Sequence, residues 1–151
     1  MALTFQTESL FPDLFFEMKP LLERHWQEIE DTELFGEMCI FSELYEKLHE
    51  AGMLHCTTAR DDGALVGYAV YIVAPAMHYR NRLCADSDVF FLLPEYRKGR
   101  AGITLLQTAE EALKKRGVNI IMQKFKAQHD CGKLFERMGY GLIGKTYMRA
   151  I

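Results

Sequence analysis

Asp86 and Asp88 stand two residues apart near the start of an apolar run, Leu83 to Leu93, and His78 lies shortly before it. On a strand, residues two apart share a face, so both carboxylates would point the same way as Phe90 and Leu92. Like charges held close repel, which lifts one carboxyl toward a range where it can take up a proton. An imidazole titrates near neutral pH without tuning, so His78 can also serve as a general base, with Tyr79 positioned to orient it or to contact a substrate. The residue types leave both candidates open, the acid pair and His78.

Immediately after the run comes Leu93-Pro-Glu-Tyr-Arg-Lys-Gly-Arg-Ala-Gly-Ile103, and then apolar residues at helical spacing: Ile103, Leu106, Ala109 and Leu113. A strand, a basic glycine-containing turn and a helix N-terminus together make an anion site. The first helical turn has unpaired N–H groups and the positive end of the macrodipole. Glycine lets the backbone approach a phosphate closely. The backbone from Lys98 to Ile103, with the charges of Arg97, Lys98 and Arg100, is read as a pyrophosphate site.

The same turn resembles the Arg/Gln-x-x-Gly-x-Gly/Ala motif of the GNAT acyltransferase superfamily, which holds the pyrophosphate of acetyl-CoA. With Arg97 in first place, Gly102 takes the last. Arg100 stands where the first glycine belongs, and Gly99 is displaced by one. Pro94-Glu95-Tyr96-Arg97 is similar to the lead-in common in that superfamily. Gln128 to Tyr140 resembles its Asn-x-x-Ala-x-x-Leu-Tyr-Glu-Lys-x-Gly-Phe segment, with Gln128 for the asparagine and Phe135 for the tyrosine. The helical N-terminal part and the His-Tyr pair before the fourth strand look like small GNAT proteins of bacteriophages.

The resemblance implies an N-acetyltransferase that moves an acetyl group from acetyl-CoA to a primary amine by direct attack in a ternary complex. It implies that acetyl-CoA lies along the backbone of Phe91, Leu92 and Leu93 and meets Arg97, Lys98, Gly99, Arg100, Ala101, Gly102 and Ile103 at its pyrophosphate. Gln128 would stand in for the family asparagine. The strand acid of the family falls at Asp86. Phe135 cannot donate the proton that the usual tyrosine gives to the leaving thiolate. That departure keeps a second reading open, an acyl-CoA-binding interaction protein with a GNAT fold and little or no turnover. The two carboxylates suit a cationic acceptor, either a small amine or a protein amine.

These residues need a scaffold. Residues 3–7 read as a first strand. Phe11 to Ile29 has helical spacing, with Pro20 expected to kink or restart the helix. His25, near its apolar face, reads as a core or interface histidine. Asp31-Thr32 opens a polar break, and a second helix runs from about Glu37 to Ala51, stopped by Gly52. Leu54 to Arg60 and Ala64 to Val73 read as strands joined by Asp61-Asp62-Gly63. Ala74 to Arg82 reads as a loop. A strand over Val118 to Phe125, a helix over Cys131 to Met138 capped by Asp130, and a last strand over Tyr140 to Ala150 complete the chain. The expected fold is an α/β (α+β) mixed sheet, GNAT-like, of about six to seven strands with helices on both faces, as one domain over residues 1–151. The edge of the last strand would be able to pair with a second copy, so a homodimer stays open.

Composition agrees with a single soluble domain: 151 residues, 49% hydrophobic and 26% charged. The net charge of −3 argues against a nucleic-acid partner. No apolar run reaches the length of a membrane span, and the N-terminus lacks a signal pattern, so a cytoplasmic protein is expected, in the host cytoplasm if a phage encodes it. Cys39, Cys56, Cys84 and Cys131 are scattered, which favours free thiols and gives no zinc spacing. A nucleophile at Cys131 with His129 is disfavoured, because residues at i and i+2 rarely align as nucleophile and base. Cys131 reads as a small buried hydrophobe.

Overall fold

The computed structural model describes residues 2–29 and 32–151 and, at 32 and 33, the backbone only. The polar break expected at Asp31 lies outside the described residues. In chain order the elements are β1 (Leu3–Thr7), a wide helical turn (Leu10–Leu14), α1 (Phe15–Ile29), α2 (Thr32–Phe35), α3 (Ser42–Glu50), β2 (Leu54–Asp61), β3 (Ala64–Ala76) and β4 (Tyr79–Leu92). A short 3-10 turn (Pro94–Tyr96), α4 (Ala101–Lys115), β5 (Ile120–Met122) and α5 (Gly132–Arg137) follow.

The sheet runs in the order β1-β2-β3-β4-β5. Its first three pairings are antiparallel and β4–β5 is parallel, with α4 as the crossover. Asp62 and Gly63 have φ of 47° and 87°, the left-handed values that a two-residue hairpin needs to match strand twist. Helices cover both faces. Val70 faces α1, whereas its neighbour Tyr71 faces the α4–α5 side, bonded there to Gln123. α4 is anchored by Leu105, Leu106, Ala109 and Leu113, all at 0% exposure. Each buried leucine contributes roughly 2 kcal/mol of apolar burial, so the helix N-terminus is held firmly against the strand ends.

Several expectations change. Among the described residues the sheet has five strands, not six to seven. Residues 140–151 form no strand: Leu142, Ile143 and Tyr147 are 76%, 89% and 90% exposed. Gly141 and Gly144 interrupt that segment, and glycine weakens a strand interior. The edge proposed for a homodimer is therefore not a strand; the sheet ends at β1 and β5. β5 covers only Ile120–Met122, because Val118 closes the end of α4 by donating to Leu113 O, and Gln123 turns to Tyr71 and Tyr140.

The segment read as a loop, Ala74 to Arg82, belongs to the β3–β4 hairpin, which reaches beyond the rest of the sheet and turns at Met77-His78. Pro75 is accommodated where the register shifts, a position that spares the ladder. The helix expected from Phe11 is interrupted at Phe11, which is extended (φ −117°, ψ 151°), and not at Pro20. Pro20 sits on the exposed side of α1 above Phe16, which is 62% exposed, where the carbonyl deprived of a donor meets water. The second helix is shorter than expected. Gly36 (φ +75°) follows α2, and residues 37–41 lead without helix into α3.

Candidate functional site

β4 and β5 stay paired only from Cys84↔Ile120 to Asp86↔Met122. β4 continues to Leu92, while the chain after Met122 leaves the sheet, so among the described residues no strand pairs with the edge of β4 from Ser87 onward that faces away from β3. This opening has the acid pair at its closed end and the basic turn at its open end.

At the closed end the register gives Val70↔Val89 and then Tyr71↔Ser87. Asp88 is the extra residue of a bulge, a device that re-aims side chains. Asp86 and Asp88 share a face as expected, but the bulge takes Phe90 and Leu92 off it. Asp86, Asp88, Val89 and Phe91 point to the α1–α3 side: Asp88 meets Tyr45, Val89 lines the cleft with α1, and Phe91 stacks on His25. Phe90 points the other way, its ring tip toward Gly102 of α4.

Each carboxylate has its own partner. The Tyr45 hydroxyl, from α3, donates to Asp88 Oδ2 at 2.6 Å, and Lys124 Nζ donates to Asp86 Oδ2 at 2.6 Å. Asp86 Oδ1 is buried with no hydrogen-bond partner. Burial lifts the Asp88 carboxyl above its ordinary range; the Tyr45 bond and the Lys124 charge oppose that shift, and the Asp86 charge adds to it. Asp88 is thus a carboxylate with a raised appetite for a proton.

At the other end Gly99 takes φ +81° and Arg100 begins α4 with no side-chain cap. Thr104 N–H is the first to find a helical acceptor, Arg100 O at 2.8 Å, so the N–H groups before it are left for an outside anion. Lys98, Gly99 and Arg100 are exposed around them, with Ala101, Gly102 and Ile103 half-buried. Tyr96 pins the turn to the β2–β3 hairpin, donating to Asp61 Oδ2 at 2.8 Å.

Arg97 is more engaged than the sequence suggests. Its Nε donates to Leu92 O at 2.7 Å, its two terminal nitrogens hold Glu28 of α1, and its guanidinium lies 5.3 Å from the Phe91 ring centre. On that ring His25 stacks at 4.8 Å, and His25 Nδ1 is 2.9 Å from the Tyr68 hydroxyl. Burial pushes His25 down to about 4, so it is a neutral core histidine. Leu92 and Leu93 are buried, and Leu93 N–H is spent on Val66 O. Gly67 is required opposite them: a Cβ there would fall 2.7 Å from Leu92 Cδ1.

The remaining candidates lie elsewhere. His78 is at the exposed tip of the β3–β4 hairpin, about 25 Å of strand from Asp86, so it does not join the acid pair. Gln128 is exposed in the turn before α5. Phe135 is 6% exposed and packs between Phe125 and Tyr140. The Tyr140 hydroxyl is committed to Glu110 and receives Gln123. Cys131 Sγ faces His129 O and not its ring, and burial raises its thiol pKa, which disfavours a thiolate there. Among the described residues no group of His, Cys, Asp and Glu could hold a metal ion, and no helix is long and apolar enough to cross a membrane.

Tyr45, Lys124 and Glu28 are the site residues that sequence reasoning missed. Each comes from a segment distant in sequence from the acid pair or the basic turn, with no motif to mark it. Beside Tyr45 a narrow apolar cleft is lined by Phe15, Met18, Trp26, Ile40 and Val89, and a separate cavity of about 250 Å³ that also touches Phe15 and Ile40 is bordered by Lys19, Glu23 and Ser42.

The sequence matches the model of the acetyltransferase (GNAT) family over residues 15–140. No curated protein matches it. Solved structures do. A ribosomal-protein-alanine N-acetyltransferase from Brucella melitensis biovar Abortus 2308 superposes with a TM-score of 0.71 at 17% identity, covering 99% of both chains. A predicted acetyltransferase with acetyl-CoA from Clostridium acetobutylicum gives 0.72 at 10% identity, over 99% of this chain and 96% of that one. An aminoglycoside acetyltransferase from an uncultured soil metagenomic sample gives 0.72 at 14% identity, over 99% and 94%. At these identities the likeness is one of fold.

Proposed function

Because the chain belongs to the acetyltransferase (GNAT) family, we propose that it transfers an acetyl group from acetyl-CoA to a primary amine in a ternary complex. The observation that carries this reading is the opening beside β4, with free helix N–H groups and Lys98 and Arg100 at one end and the Asp86–Asp88 pair at the other. A pyrophosphate held at the α4 turn leaves the pantetheine arm to run along the unpaired edge of β4, toward the bulge. An N–H of that edge polarises the thioester carbonyl as it becomes an oxyanion.

The acceptor amine comes to the α1–α3 side of β4, where Asp88 meets Tyr45. It arrives as an ammonium, and Asp88, with its lifted pKa, takes the proton that must leave before attack. Tyr45 holds Asp88 in place and is itself pushed to higher pKa by burial and by Asp88, so it stays a donor. Nitrogen attacks the carbonyl carbon, the C–S bond breaks, and the thiolate collects the second amine proton through water. The acceptor is a small amine or a protein amine. The likeness to phage proteins and a cytoplasmic place of work belong to the same reading.

A second reading rests on one observation. Phe135 fills the position of the usual tyrosine and is buried, while the neighbouring Tyr140 hydroxyl is occupied by Glu110. A protein that binds acyl-CoA without turnover is consistent with that arrangement.

A thermal-shift experiment with acetyl-CoA, CoA and ATP tests the proposal. Ligands that bind only the folded chain raise its melting temperature. Both CoA forms should raise it and ATP should not; no shift with acetyl-CoA sinks the reading. An amine screen against acetyl-CoA then separates turnover from binding alone.

A further inference from the structure

Lys124 lies two residues beyond the last paired residue of β5, on the far wall of the opening from β4. Its ammonium crosses that opening to Asp86 Oδ2 at 2.6 Å. The side chain keeps 62% of its surface exposed, so it is held at one end and accessible along its length. Asp86 belongs to the stretch of β4 where the two strands separate, and its other oxygen has no partner. A primary amine of the chain itself therefore sits on a carboxylate of the site, at the closed end toward which the thioester would point. That is the arrangement an acceptor amine requires.

We propose that Lys124 is an acetyl acceptor of its own chain, modified at Nζ by acetyl-CoA bound in the opening. This rests on the acetyl-CoA site proposed above. Lys124 gives one proton to Asp86 and attacks the thioester carbonyl carbon as the neutral amine. The N–C bond forms and the C–S bond breaks. The CoA thiolate leaves and takes the second proton lost by nitrogen, so the products are the amide, CoA thiol and the proton left on Asp86. The proximity of nucleophile and base makes the step unimolecular once acetyl-CoA is bound. The acetylated side chain carries no charge and releases Asp86 from its ion pair.

The test uses the full chain with saturating acetyl-CoA and no added amine, followed by peptide mass mapping over time, with the thermal shift by acetyl-CoA measured on the same sample. Lys124 should gain one acetyl group at least about tenfold faster than the exposed Lys115 and Lys145, at a rate independent of protein concentration. Asp86→Asn should slow that gain to the level of the other lysines while keeping the thermal shift. Lys124→Arg should keep the charge facing Asp86 and acquire no acetyl group at 124. Acetylation of Lys124 no faster than of Lys115, in a protein that acetyl-CoA stabilises, overturns the inference and leaves the acetyl-CoA site standing. A rate that scales with protein concentration overturns it as well, since the transfer would then be between chains. No stabilisation by acetyl-CoA removes both.

Discussion

Glu28, in the last turn of α1, grips both terminal nitrogens of Arg97, at 2.5 and 2.9 Å, in the turn that leads into α4. The residue that opens the anion motif is thus already neutralised by a carboxylate from the opposite side of the sheet. The hydrogen bonds from Arg97, and with them its charge, hold the Glu28 carboxyl below the ordinary range. Arg97 also braces the turn by bonding Leu92 O.

Glu28→Gln should therefore tighten acetyl-CoA binding. Removing the negative charge lets more of the Arg97 field reach the phosphates, while a neutral amide can still accept a bond. Both side chains are partly exposed, so the gain is modest, a factor of about 2–5 in affinity. Isothermal titration of acetyl-CoA into both proteins checks it. Equal or weaker binding would mean that Arg97 serves only to tie α1 to the turn.

Lys98 and Arg100 carry the charge that is free to reach an anion, since both are exposed beside the uncapped start of α4. Lys98→Ala and Arg100→Ala should each weaken acetyl-CoA binding by roughly three- to tenfold in dilute buffer, and the deficit should shrink as salt is added. The melting temperature of the free protein should barely move. A loss that persists unchanged at high salt would point to packing and not to charge.

The basic turn and the helix after it were legible in the sequence because each is encoded locally: a run of cations with a glycine, then apolar residues at helical spacing. The order of the first five strands followed from the same signals. That Asp86 and Asp88 share a face was legible; that Phe90 and Leu92 leave it was not. Alternation predicts Asp86, Asp88, Phe90 and Leu92 together, and a single unpaired residue at Asp88 reverses the pattern for the rest of β4. No residue type announces that bulge. The partners Tyr45, Lys124 and Glu28 reach the site through tertiary packing from elements far apart in the chain, which spacing rules do not encode. The last strand was expected from its apolar content, yet Leu142, Ile143 and Tyr147 find no neighbouring strand.

Acid should unfold the protein earlier than its carboxylates alone would require. Burial lowers His25 and His55 from 6.5 to about 4. Their neutral forms favour the fold fully above the unfolded pKa, and that contribution is lost as pH falls from about 6.5 toward 4, because the unfolded chain takes up protons that the folded one refuses. Each shift corresponds to about 3 kcal/mol at its lower limit. His25→Gln, which keeps a polar neighbour for Tyr68, should lower stability at pH 7 and flatten the slope of melting temperature between pH 7 and 5. An unchanged slope would show that His25 is protonated in the folded state.

The acid limb of the rate profile should identify the base. If Asp88 takes the proton from the acceptor, the rate rises with pH through the lifted pKa of Asp88, since only its ionised form can act. Tyr45 donates to that carboxylate and favours ionisation, so Tyr45→Phe should move the limb to higher pH while leaving the plateau within a few-fold of the parent. The charge of Asp86 opposes ionisation of Asp88, so Asp86→Asn should move the limb to lower pH. Asp88→Asn should abolish the limb and cut the plateau by about 10²–10⁴. His78→Ala, at the hairpin tip, should change neither. A plateau that survives Asp88→Asn but collapses in Asp86→Asn would transfer the role to Asp86, and with it the competition between an external amine and Lys124 for the same carboxylate.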